Sequence, residues 1–294
     1  MKTGKAADPN SERAYEMKRY IAESADPDEI VAELLHGKGA VLISGLFSDE
    51  QIAQARRSVM QYSAEADKVT HFQGRAAEEG RINLQRRVWN LLDKGAVFST
   101  MATSPTIMAI LRKFLGTEFI MGSIAANRIL PGGPGQEPHV DYPYWDFYKS
   151  ESHPVGLNGS FPMNAQVSVL LDPFTVESGA TAYVPGSQKT LRYPSEADNF
   201  YDKCERMLGE PGDLALFYGV AWHCAMPNNA DHDRSAVLIN YLPKWVKPLE
   251  DMPAALSQEF LDAASPDMKQ LLGFHYPYPE ILDQAKGGNT EGRK

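Results

Sequence analysis

The chain has 294 residues, a net charge of −9, 43% hydrophobic and 23% charged residues, which is the make-up of an ordinary globular protein with enough chain for a substantial core. The acidic balance excludes a protein that tracks nucleic-acid phosphates through a basic face. AVLISGLF at 40–47, the most apolar early run, is far shorter than a membrane span. The first ten residues are polar with no apolar signal core, and Cys204 and Cys224 make neither a disulfide framework nor a CxxC metal pattern. A reduced, cytoplasmic setting is the expectation.

In chain order, Ser11 to Ala22 reads as a polar helix. PDEIVAELLHGKG then places Ile30, Leu34 and Leu35 on one helical face before a glycine stop. AVLISGLF is a short strand, and Ser48 with Gln51 three residues later predicts a capping box opening the next helix. SPTIMAILRKFLG at 104–116 repeats the helical pattern through Ile107, Ile110, Leu111 and Phe114. From about residue 118 the texture changes to short β-rich runs, EFIMGSIAANRIL, NAQVSVLLD, TAYVP, DLALFYG and SAVLINYL, separated by Gly, Pro, Asn and Asp. Strands at this spacing without intervening helices predict an antiparallel sandwich or double-sheet jelly roll. Helical pattern returns near 254–272. The expected organisation is one domain: helices over 11–116, a β-core over about 118–245, helices within 250–283 and a disordered tail at 284–294.

GGPGQEPHVDYPYWDFY at 132–148 carries a His-x-Asp pair, His139 and Asp141. Residues i and i+2 of a strand face the same side, so both could reach one ion, and imidazole with carboxylate suits Fe(II), Mn(II) or Zn(II). The pair alone is a common pattern and reads equally as a surface or core pair. His223 lies 84 residues later, just past the strand LALFYG, where an isolated histidine is normally a hydrogen-bonded core residue. Joined to the pair it would complete a 2-His-1-carboxylate face with open coordination positions, the arrangement of non-haem Fe(II) oxygenases. Arg234 heads the apolar strand SAVLINYL, where its fork could bind a carboxylate ligand or pair with Asp231 or Asp233.

The ordered set His139-x-Asp141, VESGATAYVPGSQK at 176–189, GDLALFYGVAWH at 212–223 and Arg234 resembles the phytanoyl-CoA dioxygenase family of Fe(II)/2-oxoglutarate oxygenases. RVWNLLDKGAVF at 87–98 looks like a largely bacterial branch of that family acting on small molecules, and the likeness spans about residues 38–245. The resemblance implies a double-stranded β-helix (a cupin-like jelly roll, mainly β) with flanking helices. His139, Asp141 and His223 would ligate Fe(II), and Arg234 would hold the distal carboxylate of 2-oxoglutarate. Asn127, Asn164, Thr181 and Gln136 are its lesser candidates for the cosubstrate pocket. The branch usually has PGSH where this chain has Gln188, a position expected outside the metal sphere. Related halogenases replace the carboxylate at the position of Asp141, so halogenation is not expected.

Such an enzyme would consume 2-oxoglutarate and O₂ and release succinate and CO₂ while hydroxylating, desaturating or cyclising a small molecule. Tyr142, Tyr144, Trp145 and Phe147 are the candidate substrate-binding residues, with packing against the core as the competing reading. Ring faces there, with Asp146, favour an amino acid, amine or natural-product intermediate. Residues 146–162 read as a lid-type loop. A catalytically silent jelly-roll binder and a His₂Asp zinc hydrolase are the alternative functions.

Overall fold

The structure, a computed structural model, describes residues 17–65, 81–141 and 161–276. A seven-stranded sheet is the frame: β1 (Lys18–Ile21), β2 (Ala40–Ser44), β3 (Gln85–Val88), β4 (Phe119–Ile129), β5 (Ala165–Leu170), β8 (Leu214–Tyr218) and β10 (Arg234–Pro243), in the order β1-β2-β8-β5-β10-β4-β3. A smaller sheet, in the order β7-β6-β9, joins β6 (Ala182–Tyr183), β7 (Glu205–Arg206) and β9 (His223–Cys224). Every pairing is antiparallel except β1 with β2.

Strand alternation assigns the two faces of the large sheet. Val41, Ile43, Leu214, Leu216, Val167 and Val169 join the main apolar cluster with the helices Pro27–His36 and Pro105–Phe114. The residues between them, Ala40, Leu42, Ala215 and Phe217, pack instead with Tyr183 and Met207 of the small-sheet side. Both faces of β2 are thus covered, which is why AVLIS reads as an unbroken apolar run. On β3, β4 and β10 the inner face turns polar. Arg87 stands opposite Asn127, and Asn127 opposite Ala236; one step along, Gln85, Ile129 and Arg234 form the next row. Such groups are placed between sheets at a cost unless something polar meets them, so this half of the inner face marks a site.

The expected helices at 27–36, 49–62 and 105–114 form, the second with the full Ser48–Gln51 capping box. The expected polar helix at 11–22 does not form over its described part: Lys18–Ile21 is strand β1, paired in parallel with β2 and followed by one 3₁₀ turn at Ala22–Ser24. Only Tyr20 of β1 is buried, as suits a sheet edge where backbone pairing outweighs a polar helical pattern. β3 likewise adds a strand within the stretch read as helical. The C-terminal helical stretch is three short helices, Met252–Ala255, Gln258–Ala263 and Pro266–Leu271. Among the described residues no helix is long and apolar enough to cross a membrane.

Candidate metal centre

His139 sits in an extended segment after the Gly/Pro loop and exchanges both backbone hydrogen bonds with His223, at 2.9 and 3.0 Å. Two residues on, the Asp141 amide donates to the carbonyl of Gly219 at 2.8 Å. The intervening Val140 is fully buried, so His139 and Asp141 share the opposite side. Asn164, just before β5, fixes the same point, its Nδ2 donating to the Asp141 carbonyl oxygen. It packs so closely on Gly219 that a Cβ there would collide with its amide.

The side chains converge. His139 Nε2 lies 3.5 Å from Asp141 Oδ1 and His223 Nε2 lies 3.3 Å from Oδ2, and the donor atoms of all three fall within 4.8 Å of one another. Both imidazoles are oriented from behind: Nδ1 of His139 bonds the Glu137 carbonyl at 2.7 Å, and Nδ1 of His223 bonds the Ala221 carbonyl at 2.9 Å. A carbonyl accepts only, so each Nδ1 carries a proton and each Nε2 is the nitrogen turned toward the other two side chains, the one placed to ligate a metal. Phe217 packs edge-on to the His223 ring at 4.8 Å.

Burial opposes ionisation of Asp141, but His223, His139 and Arg87 outweigh it and hold the carboxyl at about 2. Burial, with the neighbouring His223, lowers the proton affinity of His139. For His223 burial acts in the same direction, yet contact with Asp141 prevails and raises it. An anionic oxygen and two imidazole nitrogens, converging in a partly buried site, form the donor set of a divalent transition metal.

Arg234 begins β10 and is buried. The predicted alternative, a salt bridge to Asp231 or Asp233, does not form: Asp233 pairs with Arg128 at 2.7 Å and Asp231 with His232 at 3.1 Å. Among the described residues Arg234 has no carboxylate partner. Its guanidinium lies 5.2 Å over the Phe174 ring, with one long bond to the Met226 carbonyl at 3.4 Å. Burial, with Arg206 nearby, lowers its proton affinity to about 9. A buried cation in this state can receive an anion.

Asn127 and Asn164 are buried, and each has a side-chain oxygen without a hydrogen-bond partner among the described residues. Thr181 is half-buried beside β6, its carbonyl accepting from Met207. Gln136 spends its oxygen on the Ala225 amide, at 3.3 Å, lacing the loop to β9. Gln188 bonds the Gly37 carbonyl at the end of the first helix. Tyr142, Tyr144, Trp145 and Phe147 lie outside the described residues, as does most of the predicted lid loop. One residue escaped the sequence reading: Arg87, half-buried on β3, stacked 4.6 Å from the Trp89 ring and close enough to Asp141 to favour its charge. Burial lowers Arg87 itself to about 10. Its only signal was a cation at an inward strand position.

Residues 35–236 match the family model described as phytanoyl-CoA dioxygenase (PhyH). The chain is 28% identical over 191 residues to dioxygenase af480 of Aspergillus fumigatus, a match covering 65% of this chain and 59% of that protein. The chain therefore spans less than two thirds of that relative's length. Among solved structures, the epimerase SnoN in complex with Fe3+, alpha ketoglutarate and nogalamycin RO superposes with a TM-score of 0.57 at 17% identity, over 74% of this chain and 85% of that one. EctD from S. alaskensis, with 2-oxoglutarate and 5-hydroxyectoine, gives 0.57 at 18% identity, over 74% and 77%. At these identities the likeness establishes the fold, a jelly roll with flanking helices.

Proposed function

The chain belongs to the phytanoyl-CoA dioxygenase (PhyH) family of Fe(II)/2-oxoglutarate oxygenases, and from that premise we propose that it oxidises an unactivated C–H bond of a small molecule at His139, Asp141 and His223. The observation that carries the reading is the pairing of two features: three converging donors, and a buried Arg234 with no acidic partner among the described residues. The donor set fits Fe(II), since both Nδ1 atoms are taken by backbone carbonyls, both Nε2 atoms face the carboxylate, and Asp141 is held ionised.

When bound, iron with 2-oxoglutarate and O₂ supplies a two-electron oxidation, releasing CO₂ and succinate. The chain's own part is placement. His139, Asp141 and His223 would hold the ion through their converging donor atoms. Arg234 would take the distal carboxylate of 2-oxoglutarate in its fork, and Phe174 keeps that guanidinium flat and dry. The unsatisfied oxygens of Asn127 and Asn164 and the half-buried Thr181 and Gln136 are secondary candidates for the same pocket. Retention of Asp141 argues for oxygenation over halogenation. The favoured substrates are amino acids, amines and natural-product intermediates, and hydroxylation, desaturation and cyclisation all draw on the same oxidation.

The test is anaerobic loading with Fe(II) and 2-oxoglutarate followed by air. A weak visible charge-transfer band before air and succinate after it are expected. A wild-type protein giving neither would be a silent binder or a hydrolase.

A further inference from the structure

A cleft of about 540 Å³ is walled by Glu137 and Pro138, the two residues before His139, and by Glu196, Phe200, Tyr201 and Asp202 among others. That volume is typical of a small-molecule pocket. Its near wall is the support of a metal ligand, because the Glu137 carbonyl is the group that orients His139. Its far wall is tied to the strand bearing the other histidine. Trp222 Nε1 donates to the Arg192 carbonyl at 2.7 Å, and the Arg192 guanidinium stacks 4.7 Å from the Trp222 ring. Arg192 also binds Asp198 at 2.7 Å, and Asp198 accepts from the amide and hydroxyl of Ser195 at 2.8 and 2.7 Å. The cleft is therefore held in a set position relative to both His139 and His223.

Its chemistry is one-sided. Among the described residues nine line the cleft; none of them is Lys, Arg or His, and three carry carboxylates. Asp198, the acid that Arg192 consumes, is not among them. Glu196 and Asp202 have no ion-pair partner among the described residues. Phe200 and Tyr201 stand edge to face at 5.4 Å, and Tyr201 remains 52% exposed, an aromatic ring presented to the opening. Ring faces flanked by carboxylates recognise ammonium groups and repel anions.

We propose that this cleft is a substrate subsite of the metal centre and that it takes the ammonium group of an amine-bearing small molecule, whose body extends toward His139. The assignment rests on the reading that a small molecule is oxidised at that centre, and it is tested separately from it.

Isothermal titration of the full-length, iron-free chain would compare tryptamine and phenethylamine with indole-3-acetate and phenylacetate. The amines are expected to bind at least tenfold more tightly than the anions, with affinity falling as salt rises. In Glu196→Gln/Asp202→Asn the amines should lose about tenfold, equivalent to about 1.4 kcal/mol. Glu259→Gln/Asp262→Asn, which changes net charge equally on a C-terminal helix, should leave them unchanged. No measurable amine binding, equal binding of the anions, or an equal loss in both double variants would overturn the proposal. Succinate release without added amine reports on the oxygenase reading alone. If it persists while amine selectivity is absent, only the cleft assignment fails; selective amine binding with neither iron uptake nor succinate sinks the oxygenase reading.

Discussion

His139 and His223, 84 residues apart in sequence, are bridge partners whose amides and carbonyls bond each other at 2.9 and 3.0 Å. Two metal ligands are thereby set by backbone pairing before any metal arrives, and Asp141 is fixed to the same turn through Gly219. A site formed in advance stabilises the fold when it is filled. With free Fe(II) at a hundred times its dissociation constant, linkage gives about 2.7 kcal/mol, or roughly 5–10 °C in melting temperature for a chain of this size. Anaerobic thermal melts should show that rise in the wild type and none in His139→Ala or His223→Ala. An equal rise in either variant would place the iron elsewhere.

Arg234 offers a prediction of opposite sign for stability and for binding. A buried cation without an acid destabilises the empty protein, because its desolvation is not offset. Arg234→Leu should therefore melt no lower than the wild type in the absence of 2-oxoglutarate. It should also lose the stabilisation that 2-oxoglutarate gives the iron-loaded wild type, and raise the KM for 2-oxoglutarate at least a hundredfold. Melts with and without the cosubstrate, and succinate assays across its concentration, check both halves. A less stable variant with an unchanged KM would make Arg234 a structural residue.

These two sites were legible in the sequence for different reasons. The His-x-Asp pair gained meaning only from His223 and Arg234 arriving in order downstream, whereas the central strands announced themselves by apolar runs such as AVLIS and SAVLINYL. β3 was not legible because its pattern is inverted. In Gln85-Arg86-Arg87-Val88 three of the four residues are polar: Gln85 and Arg87 share the face that turns to the site, and only Val88 joins the core. Periodicity reads such a strand as solvent-exposed chain, and Arg87 was missed with it. β1 failed differently: an edge strand with one buried side chain, Tyr20, carries almost no hydrophobic signal, and its pairing with β2 is a backbone event.

The capping box is the local feature that sequence and structure share most directly. Ser48 Oγ accepts from the Gln51 amide at 3.3 Å, and Gln51 Oε1 accepts from the Ser48 amide at 2.9 Å. Ser48→Ala should cost about 1 kcal/mol, or roughly 2–4 °C, while the KM for 2-oxoglutarate stays at its wild-type value. Calorimetry beside a succinate assay separates the two; a change in KM would tie this helix to the site.

Asn164 and Gly219 act on Asp141 through one contact. Asn164 donates to the Asp141 carbonyl, the Asp141 amide donates to Gly219, and the missing Cβ of Gly219 is what lets the Asn164 amide sit there. Asn164→Ala removes the brace behind a metal ligand and is expected to weaken Fe(II) binding about 10–100-fold. Gly219→Ala pushes the same amide aside and should produce a similar loss. Because both remove one interaction, the double variant should bind iron no more weakly than the worse single one, whereas independent sites would add their free-energy losses. Anaerobic Fe(II) titration of the four proteins measures this coupling. Additive losses would mean that the two residues reach the metal by separate routes.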